Sequence, residues 1–327
     1  MQDVGRATRG GVGTVLAGLA LVALALAAGW VSGAAFDGYD ASSSSSACAG
    51  DCSSEAASAA VTPSLPRQAA VQAPATPEPD GLPYISAGSI AVVESACGAL
   101  LFGRNEHLRL PPASLTKLMT AAVATDQADT DTMIVTTVDG ERLFDETGST
   151  VMGLRPGMEL SLLDLLYGLL LPSGNDAAIA IAEGVSRTQE QFVALMNQKA
   201  KSLALDDSHF VNPHGLYQEG HYSSAHDMAI LARYVMQNPE LRQIVSTISW
   251  QPRWDGPEVW NGNQFISQYD GADGVKIGYT EESQQTIVAS ATRGDRRIIA
   301  SLMRSQDRYQ DAARMLDWAF DQPSACP

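Results

Sequence analysis

A serine and a lysine three positions apart are candidates for a nucleophile and its base. Ser114 and Lys117 lie in the string Pro-Pro-Ala-Ser-Leu-Thr-Lys. Because prolines favour a helix start, Ser114 is predicted at or just inside a helix N-terminus, with Lys117 one turn further on the same face. A lysine whose pKa is lowered by burial or by a nearby cation can take the proton of a serine and make it a nucleophile. Taken alone, the pattern is more typical of an ordinary helix start.

Two further strings carry polar residues at positions suited to a cleft. Ser173 and Asn175 lie in Leu-Pro-Ser-Gly-Asn-Asp, a break between two apolar helical stretches. By itself this string also fits a helix–helix connection with an N-cap residue. Lys276 and Gly278 lie in Asp-Gly-Val-Lys-Ile-Gly-Tyr-Thr, where a lysine on a strand edge, followed by glycine, lets backbone and ammonium approach a ligand. By itself this string also fits a strand with a bulge.

In this order the three strings correspond to the signature set of β-lactamases and penicillin-binding proteins, Ser-x-x-Lys, Ser-x-Asn and Lys-Thr-Gly, with an isoleucine at the threonine position of the third. Over residues 88–320 the sequence closely resembles the low-molecular-mass penicillin-binding proteins, which are serine-type D-alanyl-D-alanine carboxypeptidases. The resemblance implies an α/β (α+β) fold of the β-lactamase/DD-peptidase type, in which helices and a mainly helical subdomain flank an antiparallel sheet. It rests on five stretches: Pro111–Ala121, Pro172–Ala178, Phe210–Leu216, His221–Ala229 and Asp273–Thr280.

The resemblance also implies catalytic roles. Ser114 would be the acylated nucleophile and Lys117 its general base. Ser173 would relay a proton to the leaving D-alanine, and Asn175 would orient the substrate and Lys117. Lys276 would attract the carboxylate at the end of the substrate, and its charge would help to keep Lys117 neutral.

The remaining site residues are expected to bind substrate. The backbone N–H groups of Ser114 and Tyr279 would form the oxyanion hole. Tyr279 lies between Gly278 and Thr280 on the same strand. Arg304, on the last strand, is a candidate for a second carboxylate clamp. The resemblance implies no cofactor.

Two departures from the family pattern bear on efficiency. Ile277 stands where the family has a threonine, whose hydroxyl would donate to the substrate carboxylate, and such a lost bond costs about 1.5–3 kcal/mol. Thr280 or Arg304 is the neighbouring group that could compensate. Ser283 and Gln284 stand where the family usually has Ala-Gly, in the turn before a strand beside the cleft.

The expected function is removal of the terminal D-alanine from peptidoglycan stem peptides through an acyl-enzyme on Ser114, with β-lactams acylating the same serine. The related alternatives are a D,D-endopeptidase and a β-lactamase-like hydrolase. Ile277 also admits a peptidoglycan-binding pseudoenzyme with little turnover. Retention of Ser114, Lys117, Ser173 and Asn175 together argues against that alternative.

The composition of the chain argues against a nucleic-acid partner, and the positions of its histidines argue against a zinc site. The chain has a formal net charge of −16 and no run of Lys and Arg, whereas nucleic-acid binding needs clustered cations. A zinc site needs convergent ligands, and we predict none from the four histidines that fall in one loop followed by a helix: His209, His214, His221 and His226.

The N-terminal region indicates export. Arg6 and Arg9 precede an apolar stretch over residues 10–36, and about 20 such residues span a bilayer. We therefore expect the following chain to be extracytoplasmic, either anchored in the membrane by this segment or secreted after signal cleavage. Residues 37–83 are rich in Ser, Ala and Pro and are predicted to be a disordered linker. Residues 84–327 would form the catalytic domain.

The periodicity of apolar residues in the sequence predicts the strands and helices that hold the site residues. Two strands joined around Cys97, and two more joined by a turn at residues 293–295, are predicted to combine both ends of the chain in one sheet. The predicted strands are Ser89–Glu94, Gly98–Phe102, Gln285–Thr292 and Arg296–Met303. The predicted helices are Ser114–Asp126, Ser161–Leu171, Asn175–Val185, Thr188–Leu203, Ala225–Gln237 and Asp307–Phe320.

The four cysteines are too few for a disulfide-built scaffold. In an oxidising compartment Cys48 could pair with Cys52, or Cys97 with Cys326. Their positions in the sequence leave both pairings open.

Overall fold

A computed structural model describes Pro79, residues 81–254 and residues 256–327. The described strands are β1 (Ser89–Glu94), β2 (Leu100–Arg104), β3 (Met133–Val135), β4 (Glu159–Ser161), β5 (Ser249–Trp250), β6 (Val259–Trp260), β7 (Ala272–Thr280), β8 (Gln284–Arg293) and β9 (Arg296–Ser305). The described helices are α1 (Thr116–Gln127), α2 (Gly140–Thr147), α3 (Leu162–Leu170), α4 (Asn175–Ser186), α5 (Gln189–Ser202), α6 (Ala225–Gln237), α7 (Pro239–Ser246), α8 (Phe265–Gln268) and α9 (Arg308–Asp321).

The main sheet is antiparallel, with the strand order β2-β1-β9-β8-β7. Strand β1, near the start of the described residues, pairs with β9, near their end, so the prediction of one sheet built from both ends is confirmed. The β8–β9 hairpin turns through Gly294 and Asp295, and Gly294 has a φ of 60°, which glycine adopts without a side-chain clash. Strand β7 lies at the edge of the sheet.

The two faces of the sheet bury different apolar clusters, because side chains alternate along a strand. One face packs against α9 through residues that include Ile287, Ile298 and Leu302. The other face contributes Val288 and Ile299 to a cluster shared with the central helices. That cluster includes the apolar faces of α1, α3, α4 and α6, and it holds the helices against the sheet.

Two elements begin two residues later in the structure than predicted. The second strand begins at Leu100 rather than Gly98, because Gly98 has a φ of 78° and its N–H donates to the carbonyl of Glu94, closing a turn. The first helix begins at Thr116 rather than Ser114. A short 3₁₀ turn, Ala113–Leu115, precedes it and carries Ser114.

One of the two predicted cysteine pairings lies in the described part of the structure and is confirmed. Cys97 and Cys326 form a disulfide across a sequence separation of 229 residues, joining the β1–β2 turn to the end of the chain. Cys48 and Cys52 lie outside the described residues. So do the predicted anchor or signal segment at residues 10–36 and nearly all of the predicted linker. Among the residues that are described, no helix is long and apolar enough to cross a membrane.

Candidate active site

Ser114 lies on the 3₁₀ turn at the wall of a cleft of about 660 Å³. The turn packs tightly against Gly215, where a Cβ atom would lie 2.0 Å from the carbonyl oxygen of Ala113. It is held on another side by Gly278 of β7. Ser114 is therefore presented to the cleft by backbone packing from two directions.

Lys117, one turn further along, is completely buried. Its Nζ atom lies 3.0 Å from Ser114 Oγ, 2.6 Å from Asn175 Oδ1 and 2.6 Å from the carbonyl oxygen of His214. The amide oxygen and the carbonyl oxygen can only accept hydrogen bonds. A neutral amine that donates its two protons to them keeps its lone pair for the proton of Ser114.

The electrostatic setting of Lys117 favours that neutral form. Burial lowers its pKa well below the usual value, and the charge of Lys276 lowers it further, whereas Asp176 acts in the opposite direction. The expectation that Lys276 helps to keep Lys117 neutral agrees with this direction. A neutral lysine beside a serine hydroxyl is the requirement for a general base at this position.

Ser173 and Asn175 come to the same cleft from the turn before α4. Ser173 has a φ of 69°, and its buried Oγ atom has no hydrogen-bond partner among the described residues. A buried hydroxyl without a partner is costly, and it is available to a bound substrate. Asn175 is the first residue of α4 and is 4% exposed, so its side chain is fixed against Lys117.

Asp176, which the sequence reasoning missed, anchors another part of the cleft wall. Its carboxylate accepts hydrogen bonds from the backbone N–H groups of Met152, Gly153 and Leu154 at 2.8–2.9 Å. These bonds hold the segment that follows α2, and residues 147–150 of that region line the cleft. The sequence pattern that could have identified Asp176 is an aspartate directly after Ser-Gly-Asn at a helix start. Acidic side chains at such positions accept hydrogen bonds from backbone N–H groups.

Strand β7 forms the opposite wall and brings Lys276, Gly278, Tyr279 and Thr280 to the cleft, as predicted. A Cβ atom at Gly278 would lie 2.9 Å from the backbone nitrogen of Ser114. The strand and the nucleophile turn are thus in direct contact. The predicted oxyanion pair, the N–H groups of Ser114 and Tyr279, lies where these two elements meet.

Lys276 is buried to 2% exposure and its Nζ atom lies 3.2 Å from the carbonyl oxygen of Ile277. Burial, followed by the charge of Arg308, lowers its pKa to about 7. Within the described residues no carboxylate forms a salt bridge with either cation. Two neighbouring cations without an anion make this end of the cleft a site for an anionic group.

Arg308, rather than the predicted Arg304, is the arginine that lines the cleft. It begins α9, and its guanidinium donates to the carbonyl oxygens of Gly278 at 2.8 Å and Thr286 at 3.3 Å. Arg304 is exposed and lies beside Gly88, with a φ of 56°. The sequence feature that could have identified Arg308 is a cation in the first turn of a helix, where the helix dipole disfavours a positive charge.

The two departures from the family pattern have different surroundings. Ile277 lines the cleft but is half buried, and its side chain packs with the apolar cluster beneath α9. Ser283 is fully buried in the β7–β8 turn, where its hydroxyl accepts a hydrogen bond from the N–H of Thr280 at 2.8 Å. Ser283 therefore has a structural role, whereas Ile277 replaces a polar group with an apolar one.

Two histidines at or behind the cleft have lowered pKa values, which favour the neutral form. Burial lowers the pKa of His214 to about 3 and that of His221 to about 4. His221 lies 2.8 Å from Thr116 Oγ1 and does not reach the cleft wall. In the described part of the chain, no three His, Cys, Asp or Glu side chains are grouped so that they could hold a metal ion.

Comparison with known proteins identifies the family. The family model described as D-alanyl-D-alanine carboxypeptidase matches residues 72–307. The D-alanyl-D-alanine carboxypeptidase DacF of Bacillus subtilis is 37% identical over 250 residues, which are 74% of this chain and 64% of the relative. The chain thus spans somewhat less than two thirds of that relative. DacB2 of Mycobacterium tuberculosis is 34% identical over 75% of this chain and 84% of its own length.

Solved structures agree with this result. A D-alanyl-D-alanine carboxypeptidase from Mycobacterium tuberculosis superimposes with a TM-score of 0.70 at 32% identity, over 76% of this chain and 97% of that one. A Streptomyces DD-transpeptidase superimposes with a TM-score of 0.69 at 28% identity, over 73% and 99%. The resemblance predicted from the three strings is therefore confirmed, and the chain belongs to the D-alanyl-D-alanine carboxypeptidase family.

Proposed function

We propose that this protein is a serine D,D-carboxypeptidase that removes the terminal D-alanine of peptidoglycan stem peptides. The observation that carries the proposal is the buried Lys117, whose Nζ atom lies 3.0 Å from Ser114 Oγ and is held by two acceptors. Membership of the family supports the choice of substrate. The extracytoplasmic location expected from the N-terminal residues would place the enzyme beside that substrate.

Substrate recognition begins at the cationic end of the cleft. The carboxylate of the terminal D-alanine binds Lys276 and Arg308, two cations that lie there without an ion-pair partner among the described residues. The scissile carbonyl then lies between the 3₁₀ turn and β7. Its oxygen receives hydrogen bonds from the N–H groups of Ser114 and Tyr279, which stabilise the charge that develops there.

Acylation of Ser114 replaces the scissile C–N bond with a bond from Ser114 Oγ to the carbonyl carbon, and it moves a proton from Ser114 to the leaving nitrogen. Neutral Lys117 takes the proton of Ser114 as Oγ bonds to the carbonyl carbon. When the tetrahedral intermediate collapses, the C–N bond breaks and the leaving nitrogen receives a proton through Ser173, whose hydroxyl has no other partner in the described residues. The products are an ester on Ser114 and free D-alanine. Water then hydrolyses the ester, with Lys117 as the base.

A β-lactam should form the same ester, because its strained amide and carboxylate mimic the terminal dipeptide. Its leaving nitrogen stays attached to the acyl group, so the ester should hydrolyse slowly. An amine in place of water would resolve the acyl-enzyme by transpeptidation, the activity in the name of the Streptomyces relative.

The test is intact-mass spectrometry of the full-length protein after exposure to benzylpenicillin, followed by an assay of D-alanine release. We expect an adduct on the wild type and none on Ser114→Ala. Ser149→Ala is the control, because Ser149 also lines the cleft and should keep the adduct. A folded wild type without adduct, with penicillin intact, would favour the pseudoenzyme. Rapid consumption of penicillin would favour a β-lactamase.

A further inference from the structure

Strand β7 offers a free edge along which a peptide substrate can lie. It pairs with β8 on one side, and no described strand pairs with its other side, which faces the cleft. An edge strand binds an extended peptide through its unpaired backbone groups. With the terminal carboxylate at Lys276 and the scissile carbonyl near Tyr279, the earlier residues of the substrate run toward Thr280 and Glu281.

The end of β7 is fixed by Ser283. Its Oγ atom accepts a hydrogen bond from the N–H of Thr280 at 2.8 Å and donates to the carbonyl of Gln284 at 3.0 Å. Its own N–H donates to Thr280 Oγ1 at 3.1 Å. These bonds close the turn internally, so the intervening Glu281 and Glu282 are carried on a defined piece of backbone.

Glu281 is the single carboxylate among the described residues that line the cleft. It is exposed and has no hydrogen-bond or ion-pair partner in the described part of the chain. At about 3.3 Å per residue, the backbone of Glu281 lies about 16 Å along β7 from Lys276. The cleft therefore has cations at one end and a carboxylate at the other.

An extended substrate with its carboxylate at the cationic end of the cleft brings its third residue from the C-terminus close to Glu281. The scissile carbonyl belongs to the second residue from the C-terminus and lies near Tyr279. The third residue then lies about 3.3 Å further along, beside Thr280, and a side chain of lysine length reaches from it toward Glu281. A side-chain ammonium is the group that a free carboxylate at this place would attract.

We propose that Glu281 is a specificity-determining residue that binds the side-chain ammonium of the residue before the terminal dipeptide. This inference rests on the proposed carboxypeptidase function. Glu281 selects between substrates and takes no part in bond making or breaking. Because the contact lies at the rim and is made before and during the reaction, it acts mainly on KM.

The test compares two peptides that differ in one charge, Nα-acetyl-L-Lys-D-Ala-D-Ala and its Nα,Nε-diacetyl form, by D-alanine release from the full-length protein. The wild type should favour the free amine in kcat/KM by about 1.5- to 5-fold, the range for an exposed ion pair. Glu281→Gln should remove this preference by raising KM for the free amine alone. Glu282→Gln is the matched control, since Glu282 is exposed but does not line the cleft, and it should keep the preference.

Three results would overturn the inference, and they are distinguishable. Equal use of both peptides by the wild type, or a preference that persists in Glu281→Gln, overturns the role of Glu281 while leaving the carboxypeptidase function in place. Failure of the wild type to release D-alanine from either peptide overturns the proposed function, and the inference with it.

Discussion

Gly278 of β7 lies against Ser114 so closely that a Cβ atom at position 278 would be 2.9 Å from the backbone nitrogen of Ser114. The same atom would be 2.7 Å from Thr286 Oγ1. Real Cβ atoms essentially never approach other atoms at such distances. The absence of a side chain at Gly278 is thus the condition for the contact between strand and nucleophile turn.

Gly278→Ala should therefore move the 3₁₀ turn away from β7 and slow acylation of Ser114 by penicillin by about 100-fold, the effect of a displacement near 1 Å. The rate would be followed by intact mass. Gly262→Ala is the matched control, because Gly262 also lines the cleft but a Cβ atom there would lie 3.7 Å from its nearest neighbour. A Gly278→Ala enzyme with the wild-type rate would contradict the close contact.

Ile277→Thr should raise kcat/KM for peptides with a free C-terminal carboxylate. The new hydroxyl supplies a hydrogen bond to a charged group, worth about 1.5–3 kcal/mol or one to two decades. Ile277→Val has nearly the same shape as the threonine variant but lacks the hydroxyl, so it should show no gain. Equal kinetics for the two variants would mean that Arg308 already satisfies the carboxylate.

The pH profile of kcat/KM should fall on the alkaline side as Lys276 loses its proton. The pKa of Lys276 is lowered to about 7, so its cation is present below that pH and is lost above it. Neutral Lys117 is needed for acylation, so the acidic side should fall as Lys117 gains a proton. Lys276→Arg should remove the alkaline limb, because arginine keeps its charge. An alkaline limb unchanged in that variant would assign it to another group.

Asn175→Ala should slow acylation without removing the nucleophile. It deletes the oxygen that lies 2.6 Å from Lys117 Nζ, at a cost of about 1–3 kcal/mol, or about 5- to 150-fold in rate. Asn197→Ala is the control, because the side chain of Asn197 is also hydrogen-bonded, to backbone groups in its case, but does not line the cleft. It should lower thermal stability and leave the acylation rate unchanged. Loss of rate in both variants would point to a general loss of structure.

Reduction of the Cys97–Cys326 disulfide should destabilise the folded protein by about 2–5 kcal/mol, since the bond closes a long loop. Thermal unfolding with and without reductant measures this. A Cys97→Ala, Cys326→Ala double variant should unfold at the temperature of the reduced wild type. Reductant should then have no further effect on it. Penicillin acylation at moderate temperature should persist, because neither cysteine lines the cleft.

The chemical groups of the site and the local secondary structure could be predicted from the sequence alone. The three strings identify Ser114, Lys117, Ser173, Asn175 and Lys276, and each lies on the cleft or, for Lys117, directly behind it. Helix starts and hairpin turns depend on neighbouring residues, such as the prolines before Ser114. Such short-range preferences can be read from a sequence, although several predicted ends of strands and helices differ from the structure by one or two residues.

Features that depend on residues distant in the chain could be identified only from the folded protein. The fold placed Arg308 rather than Arg304 at the cleft and brought Cys97 and Cys326 together within the described residues. It also turned Lys117 into a base, because the pKa of an amine depends on its burial and on charges that packing brings near. Sequence spacing specifies which groups are present, whereas the distances and desolvation that give them their reactivity exist only after the chain has folded.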